Sequence, residues 1–184
     1  MSLPEDAPAS RIRPATAEDI PAITAIYAHH VRHGRASFEI EPPDEAEIRR
    51  RQEALLAQDM PYLVLEQDGT VLGYAYAGPY RPRPAYRDTV ENSIYVRADQ
   101  AGHGFGQRLL AALIEACEGR GLRQMVAVVG DSGNTASIGL HRAMGFREVG
   151  VLRAVGWKHG QWLDIVLLQR ALGPGETEPP VTRA

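Results

Sequence analysis

The stretch from Thr89 to Ala112, TVENSIYVRADQAGHGFGQRLLAA, constrains this chain more than any other. Its first eight residues alternate. Val90, Ile94 and Val96 fall on one face and Glu91, Ser93 and Tyr95 on the other, the period of a half-buried strand. Further on, Leu109, Leu110, Ala112, Leu113, Ala116 and Cys117 recur at helical spacing. Between the two lies Gly102-His103-Gly104-Phe105-Gly106. A glycine-rich turn that runs into a helix leaves the first N–H groups of that helix unpaired and facing outward, at the positive end of its dipole. Residues Gly102 to Gln107 are therefore expected to bind a phosphate or pyrophosphate through main-chain amides.

The rest of the chain reads as one domain around this unit. With 184 residues it can bury a full core once, and residues 11–172 are expected to form that domain between flexible tails at 1–10 and 173–184. Helical spacing covers residues 20–30, with Thr16 or Asp19 as a cap, and an arginine-rich helix is expected over 44–58. The segment 31–43 reads as irregular. Residues 62–67 and 71–77 read as strands joined by Asp68-Gly69, a strong hairpin pair. Residues 79–87, PYRPRPAYR, are too broken by proline to be regular. A buried strand over 124–129, a helix over 134–144 and two strands over 147–155 and 162–169 complete the order β-α-α-β-β-β-α-β-α-β-β. Short connections force several neighbours to be antiparallel. The fold class expected is α/β, with a mixed, mostly antiparallel sheet of six or seven strands flanked by about four helices.

Charge and cysteine content exclude several functions. A net charge of −3 gives no footprint for nucleic acid, and the lone Cys117 gives neither an intrachain disulfide nor a cysteine-based zinc site. His29 and His33 stand at i, i+4, but with no third ligand nearby no metal is expected. No run of about 18 apolar residues and no leader pattern is present, so no membrane is expected and the cytoplasm is the expected compartment.

Three kinds of glycine loop compete for Gly102–Gly106. A P-loop ends in Gly-Lys-Ser/Thr, whereas Gly106 is followed by Gln107-Arg108. A dinucleotide fingerprint needs a glycine three residues after Gly104, where Gln107 stands. The third, Gln/Arg-x-x-Gly-x-Gly/Ala, is the coenzyme A loop of the GNAT N-acetyltransferases, which this stretch resembles, with Ala101 in place of Gln/Arg. Residues 134–146, NTASIGLHRAMGF, are similar to that family's Asn-x-x-Ser helix. Three further segments, YAYAGPYR from Tyr74, YRDTVE from Tyr86 and GWKHGQWLD from Gly156, resemble the branch that acetylates phosphinothricin and methionine sulfoximine or sulfone. The likeness runs from about Ile12 to Gln169.

The resemblance implies the GNAT fold and acetyl-CoA as co-substrate. It also implies cofactor contacts from Ile94, Tyr95, Val96, Gly102, His103, Gly104, Phe105, Gly106, Gln107, Asn134 and Ser137. An ammonium has no lone pair, so the acceptor amine must lose a proton before it attacks the thioester. Glu91, on the polar face of the strand beside the loop, is the expected base; a salt bridge to Arg87 or Arg97 is the competing role. His141 occupies the position where many relatives carry a tyrosine acid, and its role as acid, base or hydrogen-bond partner stays open. The substrate's anionic groups suit forked guanidinium donors, so Arg81 and Arg83 are expected around the acceptor with Pro82, Tyr86, Asn92 and Ser93, and Phe38 as a wall. Likeness to the family also implies a homodimer. Acetylation of a peptide N-terminus or another small amine, and a non-catalytic acyl-CoA-binding module, are the alternatives.

Overall fold

The alternating stretch is realised as the central strand of a seven-stranded sheet in the computed structural model, which describes residues 10–180. In chain order the elements are β1 (Arg11–Pro14), α1 (Ile20–His33), α2 (Glu45–Leu56), β2 (Tyr62–Gln67), β3 (Thr70–Pro79) and β4 (Thr89–Val96). After them come α3 (Phe105–Glu118), β5 (Gln124–Gly130), α4 (Thr135–Ala143), β6 (Arg147–Lys158) and β7 (Gln161–Ala171). Strand order is β1-β2-β3-β4-β5-β7-β6. Only β4 and β5 run parallel, because α3 carries the chain across between them; every other neighbouring pair is antiparallel.

Each face of the sheet has its own core. Leu109, Leu110, Leu113 and Cys117 of α3 pack with Val90, Met125 and Leu168 on one side. Ile20, Ile23, Tyr27 and Val31 of α1 pack with Tyr62, Val64 and Tyr74 on the other. The pleat of β4 therefore sends Val90, Ile94 and Val96 toward α3 and Tyr95 toward α1.

Some boundaries differ from those expected. The first helix runs to His33, because fully buried Val31 continues the apolar stripe by one turn before Gly34 ends it. Thr16 closes the short turn before α1 rather than capping α1 itself, and its N–H donates to the Asp19 carboxylate at 2.7 Å. Gly156, Trp157 and Lys158 belong to β6, so the turn is only His159-Gly160, with φ of 50° and 72°. Both residues take the left-handed conformation that a tight hairpin requires, as Asp68-Gly69 also does. Residues 173–180 of the expected tail run in turns against the domain, with Arg123 donating to Pro179 O at 2.9 Å. Residues 1–9 and 181–184 lie outside the described residues.

Leu110 is fully buried at the centre of the α3 face. Leu110→Ala is expected to cost about 2–5 kcal/mol, read as a lower denaturant midpoint at unchanged m.

Candidate active site

Pairing between β4 and β5 stops at Asn92 and Ala127, although β4 continues to Val96 and β5 to Gly130. A cavity of about 1010 Å³ occupies the gap. Backbone groups along an antiparallel pair alternate in direction. Arg97 N donates to Leu72 O at 2.8 Å and Tyr80 N to Thr89 O at 3.2 Å, so the odd-numbered residues of β4 are turned to β3. The even-numbered Ile94 and Val96 consequently direct their groups to the side that β5 has left. His30 Nε2 donates to Val96 O at 2.8 Å, which leaves the N–H groups of Ile94 and Val96 and the Ile94 carbonyl facing the cavity. Tyr95 also lines the cavity, although its backbone serves β3; its ring stacks on Tyr74 at 5.4 Å and meets Tyr27 edge-on at 5.0 Å.

The glycine turn forms the far end of the same cavity. Gly104, at φ 76°, precedes α3 without a side-chain cap, so the first amides of the helix have no partner within it. A Cβ added at Gly102 or Gly104 would meet nothing within 4 Å, so the loop is open to an approaching diphosphate. Gly102, Gly104, Phe105 and Gly106 line the cavity. His103 is exposed and stacks on Phe105 at 5.9 Å, and the Gln107 side chain is exposed; neither lines it. Asn134 lines the cavity and also caps α4, its side chain accepting from Ser137 N at 3.2 Å.

Glu91 lies half-buried on the α1 side of β4, at the last turn of the pleat before the gap. Arg87 pairs with Asp88 and Arg97 with Asp99, so neither takes the Glu91 carboxylate. Burial pushes the Glu91 carboxyl above the ordinary 4.5, and the Arg81 charge partly opposes that rise. His141 is buried on the opposite side. Its Nδ1 lies 2.8 Å from Ser137 O and donates to it, which leaves Nε2 as an acceptor 3.2 Å from Asn92 Oδ1. Two acceptors cannot pair, and Asn92 Nδ2 has no partner; turning the amide by 180° offers its NH2 to Nε2 and resolves both. Burial lowers the His141 pKa from 6.5 more than the Ser137 bond raises it, so the imidazole is neutral at pH 7.

Of the expected acceptor residues, Phe38, Asn92 and Ser93 line the cavity. Arg81, Pro82, Arg83 and Tyr86 are exposed and outside its lining; Arg81 lies over the Tyr80 ring, and Tyr86 meets that ring edge-on. Sequence reasoning passed over Tyr27, His30, Ser37, Glu39 and Tyr76, all of which line it. Among the described residues no cluster of three or more His, Cys, Asp or Glu could hold a metal ion.

A splayed parallel strand pair, open amides along β4 and a glycine turn before a helix define the layout of an acyl-coenzyme A site. Residues 23–146 match the acetyltransferase (GNAT) family, and the chain belongs to it. Over 172 residues it is 56% identical to the phosphinothricin N-acetyltransferase of Alcaligenes faecalis, covering 94% of this chain and 87% of that protein. It is 45% identical over 169 residues to the L-methionine sulfoximine/L-methionine sulfone acetyltransferase of Pseudomonas paraeruginosa, covering 91% and 98%. The crystal structure of a GNAT superfamily phosphinothricin acetyltransferase from Sinorhizobium meliloti, in complex with AcCoA, superposes with a TM-score of 0.91 at 43% identity, covering 94% and 93%. The chain is thus an acetyl-CoA-dependent N-acetyltransferase.

The Glu91 environment generates a prediction with two signs. As a base the carboxyl must be ionised, so kcat/KM is expected to fall on the acid side around a pKa above 4.5. Arg81→Ala removes the charge that holds this pKa down, so the acid limb moves to higher pH in a pH–rate profile. For stability, a raised folded pKa means a contribution that is full below 4.5 and lost as pH rises through the folded value. At pH 8, Glu91→Gln is therefore expected to melt no lower than the parent.

Proposed function

We propose that the chain moves the acetyl group of acetyl-CoA to the α-amino group of a small amino-acid analogue of the phosphinothricin or methionine sulfoximine/sulfone kind. The observation that carries this reading is a half-buried, unpaired carboxylate, Glu91, at the point where β4 leaves β5 and its amides become free. Relatives bearing those activities in their names, matched over almost the whole chain, support the substrate class.

Glu91, directly or through a water, takes a proton from the acceptor ammonium, and burial that favours its protonated form makes it a stronger base than an exposed glutamate. The freed nitrogen attacks the acetyl carbon. A C–N bond forms and the C–S bond breaks; coenzyme A leaves as a thiolate of solution pKa about 8.5, which takes up the second nitrogen proton directly or through water as the amide forms. The N–H groups of Ile94 and Val96 stand where the carbonyl oxygen gains charge. The amides of Gly104 to Gln107 hold the diphosphate, and Asn134 and Ser137 border the pantetheine. Neutral His141 holds the Asn92 amide in place rather than donating a proton to sulfur.

The reading extends to assembly and location. The outer strand β6 and its partner β7 expose Val149, Leu152, Val155, Trp157 and Trp162, the two tryptophans at 57% and 63% exposure. An apolar patch at a sheet edge supports a homodimer formed through this hairpin. No helix among the described residues is long and apolar enough to cross a membrane, and a substrate as polar as acetyl-CoA supports a cytoplasmic enzyme.

Release of free thiol in the presence of methionine sulfone tests the activity. Glu91→Gln is expected to lower kcat by about 10²–10⁴-fold while calorimetric affinity for acetyl-CoA is retained; full rate in that variant removes Glu91 from the mechanism. Sedimentation is expected to show a dimer that becomes monomeric in Trp157→Glu.

A further inference from the structure

Between α1 and α2 the chain crosses the acceptor side of the cavity as residues 34–39, and each of these six residues has its own fixture. His159 Nε2 donates to Gly34 O at 3.2 Å, and Arg35 pairs with Asp131 at 3.0 Å. Ala36 lies so close over Gly130 that a Cβ there would stand 2.5 Å from Ala36 O. Buried Lys158 donates from Nζ to Ser37 O at 2.7 Å, and the Ser37 hydroxyl shares a 2.9 Å hydrogen bond with Tyr27. The Phe38 ring fills a notch formed by two glycines. A Cβ at Gly156 would stand 2.2 Å from its Cε2, and one at Gly130 would stand 3.0 Å from its Cε1. Glu39 accepts from Tyr27 at 2.9 Å and from Arg51 at 2.6 Å.

We propose that this strap is the gauge of acceptor size, with Phe38 as the specificity-determining residue and Gly156 and Lys158 as the positioning residues that set its ring. The inference rests on the amino-acid-analogue reading given above. Phe38 and Glu91 line the same cavity, so an acceptor whose nitrogen reaches Glu91 shares that space with the strap. Phe38 lines the cavity and is flanked by Gly130 and Gly156, so bulk added at Gly156 pushes the ring out of its notch. Ordinary carbon contact begins at 3.4 Å, so even one methyl at Gly156 displaces the ring. Lys158 acts through Ser37, one residue away, and touches no substrate. The motif Gly-Trp-Lys-His-Gly thus acts within its own chain: Gly156 makes room for Phe38, Lys158 anchors Ser37 and His159 anchors Gly34.

Three acceptors that differ by single methylenes test this: S-methyl-L-cysteine sulfone, L-methionine sulfone and L-ethionine sulfone. Gly156→Ala is expected to lower kcat/KM for methionine sulfone by about tenfold or more relative to S-methylcysteine sulfone, the order of discrimination one methylene gives in an apolar pocket. KM for acetyl-CoA is expected to stay within about twofold, since a Cβ placed at Gly102, Gly104 or Gly106 would not meet Phe38 within 4 Å. Phe38→Ala is expected to shift preference the other way, toward ethionine sulfone. Lys158→Met should raise the acceptor KM more than it lowers kcat, and Lys158→Arg should restore part of the loss. Ring displacement is read independently by labelling with 4-fluorophenylalanine, because the chain has only 3 phenylalanines. The Phe38 fluorine resonance should move in Gly156→Ala while those of Phe105 and Phe146 hold. If Gly156→Ala scales all three acceptors equally, or leaves the Phe38 resonance in place, the gauge is refuted. If the parent enzyme acetylates none of the three sulfones, the substrate reading itself fails.

Discussion

Everything in this enzyme depends on two strands that stop pairing. Past Asn92 and Ala127 the backbone of β4 gives up its neighbour, and unpaired N–H and C=O groups inside a protein are costly unless something takes them. His30 takes one, the carbonyl of Val96. The others open on a large cavity, where an amide-bearing chain such as pantetheine and a carbonyl gaining charge can use them. The gap is thus both a channel and a set of fixed dipoles that need no reorganisation during reaction.

The two faces of the sheet divide the chemistry. On the α3 side, helix-start amides and the cap of α4 suit an anionic, extended cofactor. On the α1 side, stacked tyrosines and the Tyr27–Ser37–Glu39 network give a drier, more rigid wall around Glu91. Burial on this side raises the proton affinity of the Glu91 carboxyl. His141 illustrates the contrast. It is buried against Phe146, with Nδ1 on Ser137 O and Nε2 beside the Asn92 amide.

Much of this was legible in the residues. Period-two alternation over Thr89–Val96, the Asp68-Gly69 turn and the apolar stripe of α3 each specify a local structure with a single low-energy answer, and all three formed as read. Glu91 was legible because a strand's pleat fixes which face a residue takes. Arg81 and Arg83 stand out by their charge and their place just before β4, but neither says where an irregular loop lies; both are exposed outside the cavity lining. Tyr27, His30 and Ser37 were passed over for the converse reason: each looks like an ordinary helix or loop residue until the sheet brings its partner from 10, 66 or 121 residues away.

By itself the sequence determined the order of elements, the open glycine turn and the face on which the acidic residue stands, since these follow from periodicity and from backbone conformations open mainly to glycine. Only the tertiary structure decided where β4 and β5 part, which β4 amides are left free, and how Gly156 comes to meet Phe38 and Lys158 to meet Ser37. Those outcomes depend on contacts between distant segments, and local propensity carries no information about them.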